Sequence, residues 1–328
     1  MHRRRAHDGR ALGGPVAPVV AAVLPAYRTA ASIRAVIERI PATVRHVIVV
    51  DDASPDGVRA VVSALEDPRI VVMSHATNRG VGGAMKTGLE RALELGADIV
   101  VKLDSDGQMD PELIPAFVAP LVAGRAELAK GNRFADLSFI DAMPPLRRIG
   151  NLALSFLVKA ASGYWSLLDP CNGYLAISSG LLQDIRRERL ADRYFFEISL
   201  LCESYHAGGV VLDVDMHPRY GDEVSSLSPL RSLFEFSGRL LVRTARRIGF
   251  AYFLRDFTVV SVFILAGVPL LVFGVLWSGY HWYLSWATNV VASTGTVIIG
   301  TLAIILAFQL LLQAVVLDVQ NEPGRPPA

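Results

Sequence analysis

The sequence predicts an α/β chain: a doubly wound, mostly parallel sheet, followed by amphipathic interfacial helices and a two-helix transmembrane hairpin. Three observations predict it. From Val19 to about Leu128, short apolar runs alternate with segments of helical spacing, the order of a parallel sheet with crossover helices. The runs are apolar throughout rather than at every second residue, as strands buried on both faces are. From Phe257 through Leu317 there is no Asp, Glu, Lys or Arg. The 328 residues are 52% hydrophobic with a mean hydropathy of +0.39, too high for a soluble domain alone, and the excess is concentrated in that stretch.

Residues 1–18 are basic and Gly-rich, without an apolar core, and read as a disordered leader rather than a signal peptide. The strands are "VVAAVL", "HVIVVD", "RIVVMSH" and "DIVVKLD"; the helices between them are "AASIRAVIERI", "DGVRAVVSALED" and "VGGAMKTGLERALELG". After Gly131 a loop holding Pro144-Pro145 leads to "LRRIGNLALSFLVKAASGYW", an amphipathic segment suited to a membrane surface. "YFFEISLLCESYHAGG" reads as a helix ending at Gly208-Gly209, "VVLDVDMHP" as a strand and "RYGDEVSSLSP" as a polar loop. The globular domain is expected over 19–228.

Over 229–256, Arg231, Arg239, Arg243, Arg246, Arg247 and Arg255 alternate with aromatics and leucines, the composition of an interfacial helix. Phe257–Trp277 and Val290–Val316 each exceed the roughly 20 apolar residues a bilayer crossing needs. The connection holds Trp277, Tyr280, Trp282, Tyr283 and Trp286 but no Lys or Arg, while arginines flank the other ends. That asymmetry puts both termini, including the tail over 318–328, in the cytoplasm. The net charge of +1 gives no reason to expect nucleic acid. Cys171 and Cys202 lack metal spacing and read as reduced thiols, and His206 and His217 read as structural.

Ligands in open α/β sheets bind beyond the carboxyl ends of the strands, and two such ends here are acidic. In "VVKLDSDGQMDP", Asp104 and Asp106, separated by one residue, can reach a single hard cation, Mg²⁺ or Mn²⁺, with Gln108 beside them. An EF-hand fails, because Met109 fills its Gly position and Pro115 its final Glu position. Asp110 before Pro111 reads as a helix cap, which leaves Asp104 and Asp106 unexplained by capping. In "IVVDDASPDG", Asp51 and Asp52 can accept from a base N–H or a ribose hydroxyl, with turn chemistry as the plainer alternative. "NRGVGGAMKTG" matches neither the P-loop nor the dinucleotide fingerprint. Its glycines let a backbone come close, either to a nucleotide or to the sheet. Arg133 in "KGNRF" and Arg219 in "RYGDEVSS" can pair bidentately with phosphate.

As an ordered set, "LPAYRTAASI", "VVDDASPDG", "NRGVGGAMKTGLERA", "VVKLDSDGQMDP", "KGNRF", "LDPCNGYLAIS" and "RYGDEVSS" resemble the inverting family 2 glycosyltransferases of GT-A fold. Within them the set looks most like the dolichol-phosphate mannose synthase and bacterial polyprenyl-phosphate branch. The resemblance runs from about Val19 to Ser226 and implies a nucleotide-sugar donor (UDP- or GDP-linked) and a polyprenyl phosphate acceptor. It implies nucleotide-sugar contacts from Pro25, Tyr27, Asp51, Asp52, Asn78, Gly80, Lys86, Asp104 and Ser105. Asp104, Asp106 and Gln108 would hold the divalent cation on the diphosphate, and Arg133, Arg219 and Ser225 the acceptor phosphate. Catalytic roles fall to Asp106, Arg133, Arg219 and Asp169, the last orienting the sugar or assisting a proton. Three positions depart from the family: Arg28 stands where Asn or Glu is common, "DPCNGY" replaces Thr-Ser-Gly-Phe, and the basic residue after "GES" is missing from "GDEVSS".

A processive polysaccharide synthase would carry Gln-x-x-Arg-Trp, but "QDIRR" from Gln183 ends in Arg187. A membrane-tethered sugar-nucleotide sensor would not need the Asp104/Asp106/Gln108 set, and a nicotinamide dehydrogenase needs a different glycine spacing. Composition rich in Ala and Arg points to a GC-rich bacterium, hence to undecaprenyl phosphate and the cytoplasmic membrane. Donor sugar and oligomeric state are left open.

Overall fold

The computed structural model describes residues 17–134, 145–216 and 229–324. Two compact units, residues 1–244 and 245–328, make up the chain.

The first unit is built on β1 (Val20–Ala26), α1 (Ile33–Glu38), β2 (Val44–Asp51), α2 (Val58–Ser63), β3 (Ile70–Ser74), α3 (Val81–Glu94), β4 (Ile99–Lys102), α4 (Ile114–Val122) and β5 (Leu128–Asn132). It continues with α5 (Pro145–Ser162), β6 (Leu175–Ser178), α6 (Ser179–Asp184), α7 (Phe196–Ala207) and β7 (Val211–Asp215). The seven strands run in the order β3-β2-β1-β4-β6-β5-β7. All neighbours are parallel except β6, which is antiparallel to both β4 and β5. Inner strands bury both faces: Ala21 to Leu24, Val47 to Val50 and Ile99 to Val101 are fully covered, whereas edge strand β3 is only half-buried. The expected doubly wound sheet is thus present.

Register decides where the acidic ends meet. Ala26 pairs with Asp51 and Val23 with Lys102, so the residues after β1, β2 and β4 converge at one edge. β1 lies between β2 and β4, where the winding reverses, the position at which such sheets bind ligands. The helix of "YFFEISLLCESYHAGG" ends as expected, with Gly208 in the left-handed conformation at φ 79°.

The arginine-rich segment forms α8 (Pro229–Gly249) and a π-helical turn over Phe250–Arg255. Leu240 and Phe236 of α8 pack with Leu154 and Val158 of α5 and Phe195, Ile198 and Cys202 around α7. The first unit therefore extends to Thr244 rather than ending at 228, because the apolar stripe of α8 is buried by these helices. Ile149, Leu152 and Phe156 form a second stripe on α5 that stays exposed.

The second unit pairs α9 (Val259–Thr288) with α10 (Thr294–Gln320). Both are long and apolar enough to cross a membrane, and most of their most apolar windows is unburied. Close approach relies on small residues: a Cβ on Gly274 would stand 2.8 Å from the Ile304 side chain. The aromatics expected in a connecting loop, from Trp277 to Trp286, lie instead inside α9. No proline interrupts them, and the helix ends only at Asn289, φ 53°. Trp277 Nε1 donates to Thr296 O at 3.0 Å. Arg247 makes a two-pronged buried pair with Asp318 at 2.7 and 2.8 Å, and Tyr252 OH donates to the same carboxylate at 2.6 Å.

Candidate active site

A pocket of about 490 Å³ opens at the converging strand ends. It is lined by Pro25 to Thr29 at the end of β1, Asp52 after β2, Lys102, Asp104, Ser105 and Asp106 at the end of β4, Asn78, Gly80, Val81 and Ala84 around the start of α3, and Arg193, Tyr194 and Glu197 around the start of α7. Of the residues expected from sequence, Pro25, Tyr27, Asp52, Asn78, Gly80, Asp104, Ser105 and Asp106 are brought together here.

Several of them hold the pocket's shape. Asp52, 2% exposed, accepts from Arg79 N at 2.8 Å and Gly80 N at 2.7 Å, and its Oδ1 lies 2.6 Å from His75 Nδ1. The carboxylate ties the end of β2 to the start of α3. Ser105, also buried, donates to Pro25 O at 2.7 Å and lies 3.0 Å from Thr29 Oγ1, joining the β4 and β1 loops. Arg28 sits in the left-handed region at φ 58°, with its guanidinium 5.3 Å from the Tyr27 ring centre. Asp110 caps the turn at Pro111 as expected, accepting from Glu112 N.

Other expected residues lie outside the lining. Asp51 Oδ1 accepts from Ser54 N at 2.8 Å, which is turn chemistry. Lys86 pairs with Asp192 and donates to Leu190 O. The glycines of α3 admit that same segment: a Cβ on Gly82 would press on the Ala191 carbonyl, and Gly83 N donates to Asp192 O at 2.9 Å. Close packing explains them: Gly80 and Gly82 admit this loop, while Gly88 admits the sheet, since a Cβ there would press on Val23 of β1 and stand 3.3 Å from Val50 of β2. Gln108 is exposed and donates its N–H to Asp106 Oδ1 at 3.0 Å. Arg133 and Asp169, expected in separate roles, form one ion pair: Nε to Oδ2 at 2.7 Å and Nη2 to Oδ1 at 3.2 Å. Asp169 is buried and also accepts from Asn172 Nδ2. Arg219 and Ser225 lie outside the described residues.

Four charged or aromatic lining groups, Lys102, Arg193, Tyr194 and Glu197, escaped sequence reasoning. Lys102, 1% exposed, lies 2.6 Å from Asp104 Oδ1 and 3.2 Å from Glu197 Oε1. Burial opposes its charge, but the two carboxylates outweigh this and hold it protonated above its ordinary range. A cation inside the apolar run "DIVVKLD" was a readable signal, as was the Glu in "FFEISLL". Tyr194, 55% exposed, carried none.

Among the described residues no cluster of three or more His, Cys, Asp or Glu is grouped to hold a metal ion. The donor set of Asp104 and Asp106 fits a hard divalent cation that completes its coordination with phosphate oxygens and water, the usual Mg²⁺ or Mn²⁺ arrangement. Gly173 lets the backbone pass close to this carboxylate, since a Cβ there would stand 3.0 Å from Asp104 Oδ2.

The sequence profile of "Glycosyl transferase family 2" matches residues 21–186, half of the chain. The chain belongs to glycosyl transferase family 2. As a member it is a glycosyltransferase, and the profile spans the strand ends that line the pocket, though not Arg193, Tyr194 and Glu197. Among curated relatives it is 32% identical to the UDP-N-acetylglucosamine–dolichyl-phosphate N-acetylglucosaminyltransferase of Methanococcus voltae, over 52% of this chain and 74% of that one. It is 30% identical to the undecaprenyl-phosphate mannosyltransferase of Micrococcus luteus, over 60% of this chain and 81% of that one. Among solved structures it resembles glucosyl-3-phosphoglycerate synthase from Mycobacterium tuberculosis, with a TM-score of 0.54 and 25% identity over 71% of this chain and 80% of that one. A further structure of that synthase contains Mn²⁺, UDP-glucose and phosphoglyceric acid. These neighbours support the GT-A fold and a divalent cation.

Proposed function

We propose that this family 2 enzyme transfers a sugar from a nucleotide-sugar to a polyprenyl phosphate at a membrane surface, by single displacement with inversion. One observation carries the reading: a single chain joins a pocket holding Asp104 and Asp106 at parallel strand ends to two exposed apolar helices of membrane-crossing length. The relatives named for dolichyl and undecaprenyl phosphate support it.

Pro25, Tyr27, Asn78 and Gly80 line the side of the pocket suited to base and ribose, with Asp52 fixing the backbone there. Asp104 and Asp106 face the diphosphate, where a bound Mg²⁺ or Mn²⁺ would neutralise the leaving group. An acceptor phosphate monoester, with a second pKa of about 6, is largely ionised near neutral pH. No strong general base is then required, and positioning supplies the catalysis. Arg133 grips that phosphate, with Asp169 orienting the guanidinium, and Arg219 and Ser225 complete the grip. The exposed Ile149, Leu152 and Phe156 of α5 meet the lipid surface, α9 and α10 cross it, and the arginines place both termini in the cytoplasm. Undecaprenyl phosphate in a bacterial cytoplasmic membrane is the acceptor favoured by composition.

The test is incubation of the purified chain in lipid with Mn²⁺, undecaprenyl phosphate and a panel of labelled UDP- and GDP-sugars. Label should enter the organic phase from one donor and vanish in Asp104→Asn and Asp106→Asn. Tight donor binding without lipid labelling would favour the sensor reading and remove the acceptor assignment. Labelling that persists in both variants would refute the role given to the carboxylates.

A further inference from the structure

Lys102 closes β4 with its ammonium buried at the pocket floor. Its backbone is held on both sides, paired with Val23 of β1 and Leu175 of β6. Its two contacts, Asp104 at 2.6 Å and Glu197 at 3.2 Å, are both pocket-lining carboxylates. Gly173 forms the wall of this corner: a Cβ there would stand 2.8 Å from Lys102 Nζ. The corner is therefore shaped around the ammonium, with a second carboxylate in reserve.

We propose that Lys102 is a positioning residue that serves as the resident counter-ion of Asp104, so that a divalent cation enters this pocket only together with a nucleotide diphosphate. The inference rests on reading Asp104 and Asp106 as the metal-bearing carboxylates. A fixed ammonium in contact with one of two ligand carboxylates both repels a dication and competes for the carboxylate's lone pairs. Asp104 and Asp106, with the ammonium held against Asp104, make a weak site for a free cation. A diphosphate adds anionic oxygens and reverses that balance. Glu197 then keeps the ammonium paired as Asp104 turns to its new partner, and an unpaired buried charge is avoided. Metal and donor affinities are thereby linked, and each must strengthen the other by the same factor.

The experiment measures protein-bound Mn²⁺ by electron paramagnetic resonance on the full chain in lipid, without nucleotide and with UDP or GDP. In the native chain, the nucleotide that fits should tighten Mn²⁺ binding by about tenfold or more. Lys102→Met and Lys102→Gln should each bind Mn²⁺ alone about tenfold tighter than the native chain, with a smaller response to nucleotide. Asp104→Asn should lose the site. Thermal unfolding identifies variants that fail to fold; if neither neutral variant folds, Glu197→Gln decides, since it leaves the ammonium to Asp104 alone and should weaken Mn²⁺ binding in the presence of nucleotide, and an unchanged affinity overturns the proposal. Neutral variants that bind Mn²⁺ no tighter than the native chain overturn the proposal, as does native binding indifferent to nucleotide. A native chain that binds nucleotide but no Mn²⁺ under any condition overturns the metal reading itself.

Discussion

Gly82→Ala tests whether the glycines at the start of α3 serve the packing of the 190–193 segment. A Cβ at position 82 would press on the Ala191 carbonyl oxygen and stand 2.8 Å from Asp192 C and 3.0 Å from Ala191 C. These are backbone atoms, so no side chain can swing away. Restoring ordinary contact distances of about 3.5–4 Å requires the segment to move by roughly 1 Å. Overpacking of this kind costs about 1–3 kcal/mol, and losing the Gly83 N–Asp192 O bond adds about 1 kcal/mol, for a total of roughly 2–4 kcal/mol. Arg193 and Tyr194 would shift with the segment, away from Gly80, Val81 and Ala84 across the pocket. The assay is thermal unfolding in lipid alongside donor KM, with Gly180→Ala as control. Gly180 lies inside α6, where an added methyl would meet nothing within 4 Å, so its substitution should stabilise by roughly 0.5–1 kcal/mol. Gly82→Ala should lower the midpoint and raise donor KM. An unchanged midpoint and KM would refute the packing argument and return these glycines to direct nucleotide contact.

The Arg133–Asp169 pair separates stability from function. Arg133→Ala should abolish lipid labelling and, by removing the guanidinium that pairs with buried Asp169, cost roughly 1–3 kcal/mol in unfolding experiments. Adding Asp169→Asn should recover stability without recovering labelling. In the second unit, Asp318→Ala removes the carboxylate paired with buried Arg247 and should cost about 3–5 kcal/mol, while Arg247→Met with Asp318→Leu should restore most of it, read by thermal unfolding in detergent. Asp213 supplies a pH signature. Burial pushes its carboxyl up to about 6, with Asp169 adding to the rise and the Leu168 N–H opposing it. Because the folded chain keeps this proton between about pH 4 and 6 and the unfolded chain releases it, stability falls as pH rises through that window, by roughly 2–3 kcal/mol in all. Asp213→Asn should therefore raise the unfolding midpoint at pH 7.5 and lose that advantage near pH 4.

The sequence by itself determined the sheet, its order of elements and the edge that would carry the site. Runs such as "HVIVVD" can only be buried on both faces, and Asp52, Asp104 and Asp106 follow such runs directly. Local patterns also disclosed the Asp110 cap, the Gly208 stop and the two apolar helices, since capping and hydropathy act within a few residues of chain. What tertiary structure alone decided are contacts between segments far apart in the chain. Asp52 turned out to clasp the start of α3, and the glycines there to admit residues 190–193. Arg133 and Asp169, 36 positions apart, became one ion pair. Lys102 and Glu197 lie 95 residues apart, 197 − 102, and meet only because β4 and α7 share the pocket floor. Local sequence chemistry chooses the elements; which buried charges end up facing one another depends on the register and packing of the whole sheet.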